Sequence, residues 1–289
     1  MTEAFIPWDK SWIIRMGMLD ILNRYEDIIQ FLDAQENLSD DIKALKRIAS
    51  GWKTEKELNT GESATLYRFV QFACWKHNIN KRITKQGTLK ERNITNNPEI
   101  IHWTQDKLLT LDSGTSQWAS AAVICGDNER IKNPPYKLQL TYDAVAHWKQ
   151  KRNNGECWTP KKDATIQAQA KACLEILKTG KTEWKPQHSE DYCFARAFNL
   201  ITPKEAIQKW PSLQNHESNR IQEMEETLKQ ANNNQPITSK DHRVIQAAAM
   251  NLAMLKQPAK IMHPESVNKS WPQFWTFIEN LPDSSTKNI

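Results

Sequence analysis

The sequence is short of glycine, with 8 in 289 residues. Close approach of bare backbone to a ligand is therefore available at few places. Its five cysteines, Cys74, Cys125, Cys157, Cys173 and Cys193, are odd in number, widely spaced and never paired as C-x-x-C. That argues against a zinc ribbon or a disulfide scaffold and leaves reduced, mostly buried thiols. No apolar run approaches the ~20 residues a membrane span needs. The opening MTEAFIPWDKSW has no apolar segment of the secretory kind, so the expected location is cytoplasmic. There is no low-complexity tract and no block of like charge. The net charge is +5, and the basic residues are spread along the chain. That suits small anions better than a nucleic-acid stripe.

What is present reads as a globular protein. Charged residues make up 25% and hydrophobic ones 39%, which is on the polar side of average and compatible with one large or two ordinary domains. The twelve tryptophans sit in apolar or helical contexts, so packing is their expected use rather than base stacking.

Periodicity and punctuation give a coarse map. Residues 5–12 read as a strand or loop entry broken at Pro7. Apolar residues from Trp12 to about Phe31 fall at helical spacing. Ser39 is placed to cap a helix running through Ile48 and stopped at Gly51. Helices are expected over Ala64–Trp75, Pro98–Leu109 and Gln117–Ile124, with short basic strands in 81–94. The alternation Tyr136-Lys137-Leu138-Gln139-Leu140 reads as a strand leading into Ala144–Lys151. Beyond a polar loop at 152–162, helices are expected at Ala164–Lys178, Glu217–Gln230 and Val244–Leu255. Apolar segments follow at 192–200 and Trp271–Leu281. The class is mixed, α+β.

Three small-residue turns each precede an apolar helix, at Ser11, Ser63 and Ser116. A helix N-terminus presents unpaired N–H groups and the positive end of a dipole, and small hydroxyl residues let an anion approach. Arg15 and Arg68 follow the first two turns by about one helical turn. Taken singly, such turns are ordinary caps.

Taken in order, the motifs resemble those of the 5-enolpyruvylshikimate-3-phosphate synthase family. Lys10, Ser11 and Arg15 match its K-S-x-x-x-R stretch, and Gly61 through Arg68 its G-x-S/A-G-T-x-x-R stretch. Glu91-Arg92-Asn93-Ile94 is similar to a strand ending R-P-I, with Asn for Pro. Thr115-Ser116-Gln117 resembles S-S-Q, and Asn133-Pro134-Pro135-Tyr136 resembles S-x-P-Y. His216 through Arg220 resembles K-E-S/T-D-R, D-H-R is intact at Asp241–Arg243, and Val267 through Phe274 resembles V-x-K-S-F-P-x-F.

The resemblance implies an abbreviated two-domain enolpyruvyl-transferase-like fold of repeated β/α units, helices inside and sheets outside, closing on substrate. The domains would be 9–184, of the shikimate-phosphate-binding type, and 185–289 with 1–8, carrying the phosphoenolpyruvate-binding residues. The activity implied is transfer of an enolpyruvyl group from phosphoenolpyruvate to shikimate 3-phosphate. No cofactor, metal, nucleic acid or membrane is called for, and the protein would be a monomer. Ser11 and Arg15 would take the acceptor carboxylate, and Thr115, Ser116 and Asn133 its phosphate. Gln117 and Tyr136 would meet its ring. Arg68 would order the site beside Arg92, while Arg92, Arg220, Arg243 and Lys269 clamp phosphoenolpyruvate, with Lys10 touching it. Guanidinium forks suit a ligand of several negative charges. Glu217 is the expected proton carrier, with His216 beside it where the family has Lys.

The family's P-D motif, whose Asp contacts the acceptor hydroxyl, has no counterpart. Residues 199–215 offer only Glu205 as an acid, and Glu190 or Asp191 would have to substitute. The alternative is accordingly a noncatalytic anion-binding relative, or a transferase with another acceptor.

Overall fold

The computed structural model describes residues 3–126, 134–211, 213 and 219–282. Helix predominates. Sheets around helix bundles were expected; the described residues hold one parallel pair, β1 (Glu57–Asn59) with β2 (Arg82–Thr84). Helix α4 (Ala64–Lys76) lies between them in the chain, which supplies the crossover that parallel strands require. The chain divides into two compact units, Trp8–Lys161 and Met1–Pro7 with Lys162–Ile289. Residues 162–184, expected with the first domain, fold instead with the unit that holds both chain ends.

In the unit of residues 8–161, α1 (Lys10–Leu22) is buried on every side from Trp12 to Ile21. A helix apolar all round is a central one. It therefore carries two ionisable side chains, Arg15 and Asp20, into the interior. Its N-cap is Asp9, which accepts from the Trp12 amide, rather than Ser11. The single helix expected over 12–31 is two. Asp20 breaks it by accepting the Ile28 amide at the start of α2 (Asp27–Asp33), while Arg24 turns the chain at φ 63°.

Helix α3 (Asp40–Gly51) begins after Ser39, but the Ser39 hydroxyl makes no cap bond. The 98–109 helix is likewise two pieces. A 3₁₀ turn at Pro98–His102 ends at the extended Trp103, and Thr104 then caps α5 (Gln105–Leu108). Helix α6 (Gln117–Ile124) has the expected bounds and is buried from Trp118 onward. The 136–140 strand is absent. Residues Tyr136–Leu138 form a 3₁₀ turn and Gln139 starts α7 (Gln139–Asn153). Leu138 alone of the alternating apolar residues is buried, with Tyr136 and Leu140 exposed, so no strand face exists to be covered.

The other unit is built from α8 (Ala164–Thr179), α9 (Tyr192–Ala197), α10 (Pro203–Lys209), α11 (Arg220–Asn232), α12 (His242–Met254) and α13 (Phe274–Glu279). Asp163 caps α8 through the Ile166 amide, and Gly180 ends it in the left-handed conformation at φ 75°. α12 is central, buried from Val244 to Leu252, and packs on α9, α11 and the 3₁₀ turn Pro264–Lys269. The Trp271 indole donates to the Phe5 carbonyl at 2.6 Å, which fastens the N-terminal segment into this unit. Cys74, Cys125, Cys173 and Cys193 are buried and Cys157 is exposed, all as free thiols. No helix among the described residues is long and apolar enough to cross a membrane.

Candidate functional site

Two groups of the expected residues gather locally, one in each unit. In the unit of 8–161 the focus is the first turn of α6. Arg15, 5% exposed, donates from Nε to the Thr141 hydroxyl at 2.8 Å and from a terminal nitrogen to the Ser11 carbonyl at 2.8 Å. The Thr141 hydroxyl in turn donates to the Ser120 hydroxyl of α6 at 2.9 Å. These partners are neutral. The Phe69 ring lies 5.5 Å from the guanidinium, and Asp9 compensates the charge only through space. Burial pulls the Arg15 pKa down to about 10, so the group is still a cation at neutral pH.

Arg68, 3% exposed, approaches the same turn from α4. Its Nε donates to Asp112 at 2.7 Å and a terminal nitrogen donates to the Gln117 side-chain oxygen. Gln117 and Ser120 are three apart in α6 and share a face. Asp112 also accepts from the Thr95 amide, the Thr95 hydroxyl and the Trp118 indole. Burial alone would raise its pKa; those bonds outweigh burial and hold the carboxyl below its ordinary range. Thr115 accepts the Gln117 amide at 3.4 Å. Ser116 is the N-cap of α6 and makes no side-chain cap bond, so its hydroxyl adds nothing to the helix it precedes.

The remaining residues of that unit are dispersed. Lys10 pairs with Asp41 at 3.1 Å. Arg92 is half-buried in the turn after the 3₁₀ segment Gly87–Lys90, which replaces the expected basic strand end. Tyr136 is 78% exposed, which does not suit packing on a ligand ring. Asn133 lies outside the described residues.

In the other unit the focus is the N-terminus of α12. Asp241 caps it, accepting from the Arg243 and Val244 amides, and receives Arg220 Nε at 3.0 Å. Burial would raise the Asp241 pKa, but the facing Arg220 and His242 and these bonds drive it well below the carboxylate range. Arg243 donates to the Glu190 carboxylate at 2.8 Å. One turn along α12, Gln246 donates to Ser270 at 3.1 Å, the residue after Lys269. Arg220 and Arg243 are thus collected about one helix end, each facing a carboxylate, and the chain beside Lys269 is tied to the next turn of the same helix. His216 and Glu217 lie outside the described residues. Of the two substitutes considered for the missing acid, Asp191 is 4% exposed and committed to the Gln169 side chain and the Gln187 and His188 amides. Glu190 sits with Arg243.

Sequence reading missed Thr141 and Asp112, which are far in sequence from the arginines they bind, and Ser120, one turn beyond the Thr115–Gln117 motif. It also missed a buried hub. Asp20 accepts from the Trp148 and Trp158 indoles and Arg152, each at 2.7 Å, and from the Ile28 amide at 3.0 Å. The isolated Asp in an apolar helix was the available signal.

No protein-family model, no curated protein and no solved structure matches the chain.

Proposed function

We propose that the protein binds phosphoenolpyruvate and shikimate 3-phosphate and transfers the enolpyruvyl group to the latter, releasing phosphate. On this proposal it adopts the two-domain enolpyruvyl-transferase-like fold in shortened form and works as a cytoplasmic monomer without cofactor. The supporting observation of most weight is Arg15: a buried cation with neutral partners, linked through Thr141 and Ser120 to the α6 turn that also receives Arg68. A cation held in low dielectric without a carboxylate attracts an anion more strongly than an exposed one. The α6 N–H groups and the Ser116 hydroxyl would take phosphate oxygens of the acceptor. Arg220, Arg243 and Lys269 would face phosphoenolpyruvate.

The reaction joins the acceptor hydroxyl oxygen to C2 of phosphoenolpyruvate while a proton goes to C3. The C2–O(phosphate) bond then breaks as C3 gives a proton back. One carboxylate in reach of C3 and a base for the hydroxyl are required. Glu217 is assigned the first role, and Glu190 is a candidate for the second.

The second reading, an anion-binding protein without catalysis, is favoured by the carboxylates that already face Arg68, Arg220 and Arg243 and by the missing P-D acid. Phosphate release separates them. Release that needs both substrates is the result expected of a transferase. Binding of both without release makes the protein a noncatalytic relative, and binding of neither overturns both readings.

A further inference from the structure

A cleft of about 370 Å³ runs along one face of α11, lined there by Glu223, Glu226, Thr227 and Gln230 and opposite by Thr238, Ser239 and Lys240. These α11 positions recur at helical spacing, so their side chains share one face. Thr227 is 1% exposed. Its hydroxyl makes no hydrogen bond among the described residues, yet it is not one of the sealed polar atoms. It therefore opens onto the cleft it lines. A threonine inside a helix ordinarily returns its hydroxyl to the carbonyl four residues back, and a buried hydroxyl left without a partner is unfavourable.

The walls around it are held in place by neutral bonds. Ser239 donates to Glu223 at 2.6 Å, Gln222 donates to Glu226 at 2.7 Å, and Gln230 is bonded to Thr238 through both its amide atoms. The side chains bonded to the two carboxylates, Ser239 and Gln222, are both neutral. The face is thus a preorganised set of acceptors whose two carboxylates outnumber the one cation of the lining, Lys240.

We propose that this cleft binds a small organic ammonium ligand, whose N–H groups donate to the Glu223 and Glu226 carboxylates and to the Thr227 oxygen. An ammonium carries three donors on one charge, which matches three acceptors on one face. Two carboxylates against one lysine favour a cation over an anion here, and no group of three or more His, Cys, Asp or Glu suited to a metal occurs among the described residues. The site uses none of the cations assigned to phosphorylated substrates, so it stands apart from that assignment.

The probe is 1,4-diaminobutane titrated calorimetrically into the full chain at low salt, with uncharged 1,4-butanediol as control. Saturable binding of the diamine and none of the diol is expected. Glu226→Gln and Thr227→Val should each weaken it about tenfold, with phosphoenolpyruvate binding unchanged. Glu226 is exposed, so its variant keeps the test decisive even where the Thr227 variant folds poorly. No saturable diamine binding, equal binding of the diol, or unchanged affinity in Glu226→Gln overturns the proposal.

Discussion

Arg15 and Thr141, 126 residues apart in sequence, meet through a 2.8 Å hydrogen bond inside the core, and that bond joins α1 to α7. It places a buried cation among neutral groups, which is unfavourable for the fold unless the charge is used.

The variant Arg15→Met separates stability from binding. The Thr141 hydroxyl and the Ser11 carbonyl each lose a donor, but a desolvated charge disappears. The net change in unfolding free energy should stay within about 2 kcal/mol. Affinity for shikimate 3-phosphate should fall by at least about tenfold, the loss of one charged hydrogen bond. Urea denaturation and calorimetry on the same sample check both. A loss of stability well beyond that range with binding intact makes Arg15 a structural residue only.

Glu190→Gln tests whether a ligand must displace an intramolecular carboxylate. Glu190 is 55% exposed at the side chain while Arg243 is 14% exposed, so the pair is of little value to stability. Freeing Arg243 should tighten phosphoenolpyruvate binding a few-fold. Glu190 as the acceptor's base gives a further result, a fall in turnover without weaker binding.

Asp20→Asn should be strongly destabilising. The carboxylate is fully buried and accepts four hydrogen bonds. An amide would turn a donor toward donors and leave Arg152 with Asp27 as its one carboxylate partner among those the structure shows. A loss of about 3–5 kcal/mol is expected, measured by denaturant unfolding.

Gly17 sits in α1 where a Cβ would lie 2.7 Å from Leu45 Cδ2 and 3.0 Å from Ile28 Cγ1. Alanine gains up to ~1 kcal/mol of helix propensity, but overpacking against α3 and α2 costs about 1–3 kcal/mol. Packing wins, so Gly17→Ala should lower the melting temperature.

Acid should weaken the fold in two stages. His147 accepts the Thr159 amide at Nε2, 3.1 Å away, and must be neutral to do so. Burial, then Lys161 and Lys151, lower its pKa. The unfolded chain therefore takes up this proton first, and the stability is present above the ordinary value of 6.5 and lost as pH falls below it. Asp112 and Asp241 are held below the ordinary 3.8, so their contribution is present above that value and lost below it. Stability followed against pH should show both stages, and His147→Gln should remove the first.

Sequence pattern located the helices that carry both a cap and an apolar stripe, such as α4 after Ser63 and α8 between Asp163 and Gly180. It failed where one side chain overrode the pattern. Asp20 ended α1 by capturing the Ile28 amide, which helical spacing through Phe31 does not reveal. It failed also at 136–140, where five alternating residues fit a strand and a helix start equally. The motif turns identified Arg15, Arg68, Arg220 and Arg243 as residues of interest. Their partners Thr141, Asp112, Asp241 and Glu190 are set by tertiary packing, and of these only Asp241 lies in a motif.

On the proposed function, the α6 turn with Arg15 and Arg68 seats a phosphorylated carboxylic acid. The most direct measurement of this is calorimetric titration of shikimate 3-phosphate into the wild-type protein at low and high salt. Saturable binding that weakens as salt screens the charges is predicted. No saturable heat at either salt concentration, with the protein folded, contradicts it.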